Sequence, residues 1–137
     1  MSLVDKANET IDPSPKKLKI FYQDGDTSDI IKVVMYGDSK AQEQTREFAK
    51  SFKGMPKREA LRELWNLVKY KIDYKADTSA YQLIQSPKHL WEHGVGDCKS
   101  KSIFIVSVCK NLGIKCFYRF ISQAQNSTKV THVYPVA

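Results

Sequence analysis

The chain has 137 residues, of which 42% are hydrophobic, and its formal net charge at pH 7 is +7. A chain of this length buries roughly two thirds of the surface that its unfolded form exposes, so we expect one globular domain that folds without disulfide bonds. No apolar run approaches the roughly 20 residues of a membrane-spanning helix, which argues against a membrane protein. Acidic residues interrupt positions 1–14, which argues against a signal peptide, so we expect a cytoplasmic protein.

The first part of the chain divides into an arm and the start of a folded domain. Proline and glycine residues with acidic neighbours indicate an N-terminal arm or strap over residues 1–27, followed by a domain over residues 28–137. The apolar piece 28–36 is ambiguous, and a Gly-Asp-Ser sequence at 37–39 predicts its end. Apolar residues at helical spacing then predict a helix over 39–52.

A second helix is predicted after Pro56, which suits a first helical turn. Its apolar stripe follows the spacing of a helix that faces a core, at Leu61, Leu64, Trp65, Val68 and Ile72. We interpret Trp65 as a core anchor. Residues 73–97 have no sustained period, and we predict a loop over 73–80 followed by a short helical turn at Leu83 and Ile84.

The C-terminal part predicts a buried helix followed by two strands. The helix over 98–112 is nearly apolar all round from Ile103 onward, and Gly113 with Ile114 is typical of a Schellman cap. Residues 114–122 and 129–136 read as strands of an antiparallel pair. The order of elements predicts an α+β fold in which a central buried helix packs on a small antiparallel sheet.

The cysteines and the basic charge limit the classes of function. Three cysteines without metal-like spacing argue against a disulfide framework or a zinc site. Cys109 and Cys116 have apolar neighbours and are interpreted as small core residues. Because the basic residues are scattered and the aromatic residues fall at core spacing, we expect no nucleic-acid partner and no membrane partner. The oligomeric state is left open.

Cys98 and His132 are the candidates for chemistry. Asp97 is well placed as the N-cap of the buried helix, so Cys98 would be its first residue, where backbone N–H groups favour a thiolate. Lys99 and Lys101, with a charged His132, would lower the thiol pKa, whereas the Asp97 charge would raise it. We expect the lowering to prevail. A strand packed on this helix would bring the imidazole within about 4 Å of the sulfur.

Several segments together resemble the transglutaminase-like superfamily, which has a papain-like fold. They lie within about residues 40–136, at 65–75, 85–87, 94–102, 111–114 and 131–134. The resemblance implies a bacterial or phage-type member in which Cys98 attacks an amide or ester carbonyl and His132 acts first as base and then as acid. The expected activity is thiol-dependent hydrolysis of an amide bond in a peptide or protein substrate. The alternative is a catalytically inactive papain-like scaffold that serves as a binding or structural module.

Two parts of the family's site are less evident in this sequence. In that family an Asp or Asn on the strand after the histidine orients the imidazole, but no acidic residue follows Asp97 here, and Asn126 is a poor substitute because it precedes the histidine. We expect that the domain is truncated before that strand; the alternatives are that Cys98 and His132 work as a dyad, or that the domain is not a catalyst. The Cys98 backbone N–H is the natural oxyanion donor, with the side chain of Gln85 or Trp91 as the second.

No cofactor and no metal are expected. The segment from His89 to His93 matches the H-x-x-E-H pattern of some zinc proteases, but Pro87 and Gly94 leave barely two helical turns for it. Calcium is not supported, because no acidic loop has the required ligand spacing.

Overall fold

The computed structural model describes residues 2–12, 19–23, 27–75, 81–121 and 132–137. Within these ranges the side chains of residues 19–23, 27–30, 81–83 and 132 lie outside the described part. No helix in the described ranges is both long enough and apolar enough to cross a membrane.

Helices and short strands alternate along the chain. The helices are α1 (Leu3–Thr10), α2 (Thr27–Ala49), α3 (Lys57–Lys71), α4 (Pro87–His93) and α5 (Cys98–Asn111), and a 3-10 turn spans Lys50–Phe52. The strands are β1 (Lys19–Gln23), β2 (Asp73–Tyr74), β3 (Tyr81–Gln85), β4 (Val95–Gly96), β5 (Phe117–Ile121) and β6 (His132–Val136). They pair as β1–β3 and β5–β6, both antiparallel, and as the short parallel pair β2–β4.

Helix α5 is the centre of the molecule. Its residues 102–109 are all buried, and it packs against α2 on one side and against β6 on another. At its end Gly113 adopts a φ of 74°, the Ile114 N–H donates to Cys109 O at 2.9 Å, and the Gly113 N–H donates to Lys110 O at 3.1 Å. These are the two bonds of a Schellman cap. The predicted α+β fold, with a buried central helix on an antiparallel pair of strands, is confirmed.

Helix α2 begins earlier than the sequence predicts and continues through residues 37–39, so the predicted break there is wrong. Gly37 lies in the helix interior and is buried. A Cβ at this position would lie 3.2 Å from Ile103 Cδ1 and 3.3 Å from Ile84 Cγ2. Close packing against α5 and β3 therefore accounts for the glycine, whose cost in a helix of about 1 kcal/mol is offset by tertiary contacts.

Helix α3 forms as predicted, and Leu64, Val68 and Ile72 of the predicted stripe are buried, but Trp65 is not. Ala60, Leu64, Leu67 and Val68 are buried, whereas 53% of Trp65 is exposed. The interpretation of Trp65 as a core anchor is therefore wrong. Successive residues are about 100° apart around a helix, so Trp65 lies at the border of the stripe.

The aperiodic region 73–97 contains four regular elements: β2, at the start of the loop predicted over 73–80, and then β3, α4 and β4. The predicted helical turn at Leu83 and Ile84 is wrong because both belong to β3. Pairing with the distant strand β1, rather than a local period, defines β3. Helix α4 has local signals: the Ser86 Oγ accepts a hydrogen bond from the His89 N–H, and Gly94 ends the helix in the left-handed conformation. The predicted loop residues 76–80 lie outside the described residues.

The predicted N-terminal arm includes α1 and β1. A capping box between Ser2 and Asp5 starts α1, and Ala7 and Ile11 are buried in the same core as Phe48. The predicted strands near the C-terminus form β5 and β6, and the predicted loop between them, including Asn126, lies outside the described residues.

Candidate active site

Cys98 is the first residue of α5 and is half-buried. Asp97 occupies the N-cap position, where its Oδ1 accepts a hydrogen bond from the Ser100 N–H at 3.1 Å. Cys98 and Val133 of β6 line the same cavity, and the backbone N–H groups of Val133 and of Cys98 itself both lower the pKa of the thiol. The sulfur therefore lies at the contact between the start of α5 and strand β6.

Strand β6 is held against α5 by a hydrogen bond. The Ser102 Oγ donates to Val133 O at 3.2 Å. Val133 is opposite Phe120 in the β5–β6 pair and is buried. The backbone of β6 is thereby fixed next to Cys98 at the residue after His132.

A buried ion pair flanks Cys98. Lys99 Nζ contacts Asp97 Oδ2, and both side chains are almost completely buried. The charge of Asp97 is thus compensated by Lys99 within the same turn of chain.

The described surroundings do not favour a thiolate. Burial raises the pKa of the Cys98 thiol, the Val133 N–H lowers it, Asp97 raises it and Lys99 lowers it, in that order of size, and the result is a raised pKa. The expectation that lysines and the helix terminus would lower the pKa is wrong for these groups, because desolvation of the sulfur outweighs them. The imidazole of His132 is outside the described part of the structure.

His132 is the first residue of β6, opposite Ile121. Its backbone adjoins Val133, which lines the same cavity as Cys98. The predicted proximity of the imidazole to the sulfur stays a prediction, since that side chain is not described.

A cavity of about 210 Å³, here called the Cys98 cavity, opens beside the sulfur. Its buried wall is formed by Val68 of α3, Ser102 and Ile105 of α5, and Val133 of β6. Its other residues are more exposed: Trp65, Lys69, Tyr74, Lys101, Tyr134 and Pro135. Three elements that are distant in sequence thus converge on an apolar space next to Cys98.

Tyr74 and Lys101 lie together at this cavity. The Lys101 Nζ is 5.8 Å from the centre of the Tyr74 ring. Burial lowers the pKa of Lys101, and the nearby Asp73 raises it. Burial also raises the pKa of Tyr74, with smaller contributions from the Cys98 and Asp97 charges. The parallel pairing of β2 with β4, just before α5, brings Tyr74 to this position.

The two side chains considered as second oxyanion donors do not line the Cys98 cavity. Gln85 is buried, its Nε2 donates to Val95 O at 3.1 Å, and its Oε1 lies 2.7 Å from His89 Nδ1. Trp91 donates from Nε1 to Asn8 Oδ1 at 2.8 Å. Trp91 therefore joins α4 to α1.

The histidines of the H-x-x-E-H pattern stack on each other in α4, with ring centres 5.4 Å apart. Glu92 between them lies 3.6 Å from Lys88. The described residues contain no group of three or more His, Cys, Asp or Glu side chains that could hold a metal ion.

The sequence analysis did not identify Trp65, Tyr74 and Val133 as site residues. Trp65 and Tyr74 fit patterns of core and loop residues, and only the folded chain brings them to Cys98. The position of Val133 directly after the candidate histidine is the one sequence signal that could have identified it.

A family model described as the transglutaminase-like superfamily matches residues 46–135, which is more than half of the chain. This range includes Cys98, Val133 and His132. Searches of curated proteins and of solved structures found no match.

Proposed function

The chain belongs to the transglutaminase-like superfamily, and from this membership we propose that it catalyses thiol-dependent acyl transfer, with hydrolysis of a peptide or amide bond as the reaction. Cys98 is the proposed nucleophile and His132 its acid–base partner. The observation that carries the proposal is the contact of β6 with the start of α5, where Ser102 Oγ donates to Val133 O at 3.2 Å and Cys98 and Val133 line one cavity, because it joins the first turns of α5 to the strand on which His132 lies.

The proposed reaction has two steps. The Cys98 thiolate attacks the carbonyl carbon, the C–N bond breaks, and the leaving amine takes a proton from the His132 imidazolium, which leaves a thioester. A water molecule then gives a proton to His132 and attacks the thioester, which releases the acid and regenerates the thiolate. An amine in place of water would give transamidation by the same route.

For the negative oxygen of the intermediate we propose the Cys98 backbone N–H and the Gln85 amide as donors. A Cβ on Gly96 would be 3.4 Å from Gln85 Nε2, so this amide lies close to the chain two residues before Cys98. An amide NH₂ has two N–H donors, and the bond to Val95 O uses one of them. Trp91 is less suitable because its Nε1–H is directed to Asn8.

The proposal requires a charge from His132. Because the described surroundings raise the pKa of Cys98, a thiolate at neutral pH needs a further cation, and an imidazolium close to the sulfur would supply it. Replacing His132 should therefore change how the reactivity of the Cys98 thiol depends on pH more than it changes the solvent accessibility of that thiol.

Alkylation by iodoacetamide between pH 5 and 10 tests this, with each cysteine followed by mass spectrometry. In the wild type Cys98 should react rapidly near pH 6, while Cys109 and Cys116, which are buried, react slowly. In His132→Ala the Cys98 profile should move to a pH above that of an ordinary cysteine. Equal, slow reaction of all three cysteines in both proteins would contradict the proposal.

The raised pKa of Cys98 favours a second candidate function, that of a catalytically inactive scaffold that binds a partner. A thiol that stays protonated at neutral pH is a poor nucleophile. In that case His132→Ala leaves the alkylation profile unchanged, and the wild type forms no thioester with activated acyl compounds.

A further inference from the structure

The Cys98 cavity has a buried wall that is mostly apolar. Val68, Ile105 and Val133 come from α3, α5 and β6, and all three are buried. A space enclosed by such side chains gives water few hydrogen-bond partners, so an apolar ligand group that replaces the water gains affinity. This wall favours an apolar group directly beside the sulfur.

The size of the cavity indicates how much of a ligand enters it. Sites for whole drug-sized ligands have volumes of about 300–1,000 Å³. The Cys98 cavity measures about 210 Å³, so it fits one large side chain better than a complete ligand. A group that enters it lies next to Cys98, which is where the acyl residue of a substrate would be.

Two aromatic side chains are exposed beside this cavity. Trp65 is 53% exposed and Tyr74 is 60% exposed, although both line the cavity. They come from α3 and β2 and contribute little to the core. Exposed aromatic rings next to a concave site are suited to cover an apolar ligand group, because they bring large contact areas with little loss of conformational entropy.

Among the described residues that line the cavity, the charged ones are both lysines. Lys69 and Lys101 line it, and no Asp or Glu is among its lining residues in the described part of the chain. Asp97 is paired with Lys99, and the charge of Asp73 raises the pKa of Lys101. The cavity therefore presents positive charge beside its apolar wall.

We infer that the Cys98 cavity binds the side chain of the acyl residue of the substrate, that it selects a large apolar side chain, and that Lys69 and Lys101 favour a carboxylate on the neighbouring residue. This inference rests on the proposed function for the role of Cys98, but the cavity itself can be tested without the thiol. The substrate class is an acidic–aromatic or acidic–aliphatic peptide segment.

A set of peptidyl chloromethyl ketones tests the selection. The probes are acetyl-Glu-Phe, acetyl-Glu-Ala, acetyl-Gln-Phe and acetyl-Glu-Lys derivatives, and the rate of Cys98 modification is measured by mass spectrometry. The Glu-Phe probe should react at least tenfold faster than Glu-Ala and Glu-Lys, and about threefold or more faster than Gln-Phe at low salt. The last difference should decrease at high salt, because screening weakens exposed charge pairs.

Variants assign the effect to named residues. Trp65→Ala should reduce the ratio of the rate with the Glu-Phe probe to the rate with the Glu-Ala probe. Lys101→Gln should reduce the ratio of the rate with the Glu-Phe probe to the rate with the Gln-Phe probe. Tyr70→Ala is the matched control, because Tyr70 is an aromatic residue on α3 that is 74% exposed and does not line the cavity. The ratio of its rates with the Glu-Phe and Glu-Ala probes should equal that of the wild type; its Glu-Phe to Gln-Phe ratio is not used, because the Tyr70 ring centre lies 5.7 Å from Lys69 Nζ. The rate with iodoacetamide, which carries no side chain, corrects for changes in the thiol itself.

The outcomes separate the cavity from the reaction. If iodoacetamide gives the His132-dependent profile but all four probes react equally, the inference is overturned and the proposed function stands. A Cys98→Ala variant tests the converse: acetyl-Glu-Phe-amide should change the fluorescence of Trp65 at lower concentration than acetyl-Glu-Ala-amide, and Trp65→Phe should remove the signal. That result supports the inference even where the thiol proves inert; equal binding of both amides overturns it.

Discussion

Asp97 and Lys99 form a buried ion pair across the candidate nucleophile, so the residues on both sides of Cys98 carry charges that compensate each other. Asp97 also caps α5 through the Ser100 N–H. The Asp97 carboxylate therefore has two roles: it caps the first turn of α5, and together with Lys99 it sets the local charge next to the sulfur.

Replacing Lys99 by Met should destabilise the protein and make the thiol less acidic. The substitution leaves the Asp97 carboxylate buried without its cation, a change that typically costs about 3–5 kcal/mol. The uncompensated charge also raises the pKa of Cys98 further. Urea unfolding and the pH profile of Cys98 alkylation measure the two effects. Lys99→Arg, which keeps the charge, should stay closer to the wild type in both; equal stability of the Met variant would contradict the role of the pair.

Gly96 is required by the close approach of α4 to the chain before Cys98. A Cβ on Gly96 would be 2.3 Å from Leu90 Cδ1, and Leu90 is fully buried. Gly96→Ala should therefore destabilise the protein by about 1–3 kcal/mol through overpacking. In the double variant with Leu90→Ala the clash is absent, so the two losses should sum to more than the loss measured for the double variant. Additive losses in urea unfolding would show that the contact is not the cause.

The sequence predicts best those elements whose signals are local. Helix α5 is defined by its N-cap at Asp97, by its apolar run, and by the cap at Gly113 and Ile114, and all of these lie within the element itself. The strands β5 and β6 are likewise short apolar segments bounded by polar ones. The predicted α+β fold therefore follows from the C-terminal part of the chain.

Elements that depend on distant contacts are predicted less well. Gly37 indicates a break in isolation, but packing against Ile103 and Ile84 places it inside α2. Strand β3 exists through its pairing with β1. The same holds for the site: the position of Cys98 at a helix start is a local property, whereas the cavity with Trp65 and the desolvation that raises the thiol pKa arise only when three elements meet.

Tyr118 should make stability fall at alkaline pH. Its hydroxyl donates to Asp38 Oδ1 at 2.6 Å, and burial, followed by the bond to Asp38 and its charge, raises the pKa of Tyr118 far above its ordinary value near 10. Below pH 10 the tyrosine is protonated in both states and its contribution is complete. Above pH 10 the unfolded state loses the proton and the folded state keeps it, so the free energy of unfolding decreases by about 1.4 kcal/mol per pH unit.

Tyr118→Phe provides the comparison. The substitution should lower the free energy of unfolding by about 1.5–3 kcal/mol near pH 7, because a hydrogen bond to a buried carboxylate is lost. It should also remove the contribution of Tyr118 to the decrease of the free energy of unfolding above pH 10. Urea unfolding at pH 7, 9, 10 and 11 measures both proteins under the same conditions, so that the other tyrosines cancel in the difference. Parallel curves above pH 10 would contradict the assignment.

Ser102 should position β6 at the sulfur rather than take part in chemistry. Its hydroxyl donates to Val133 O, and Val133 lines the same cavity as Cys98. Ser102→Ala leaves a buried carbonyl without this partner, at a cost of about 1–3 kcal/mol. Because β6 then loses one of its anchors on α5, Cys98 alkylation near pH 6 should slow while the reaction of free cysteine under the same conditions does not change.

The matched control is Ser107→Ala. Ser107 is another buried serine of α5, and its hydroxyl donates to Phe104 O. This substitution should lower stability without altering the alkylation profile, and an equal loss of reactivity in both variants would mean that general destabilisation, not the position of β6, is responsible.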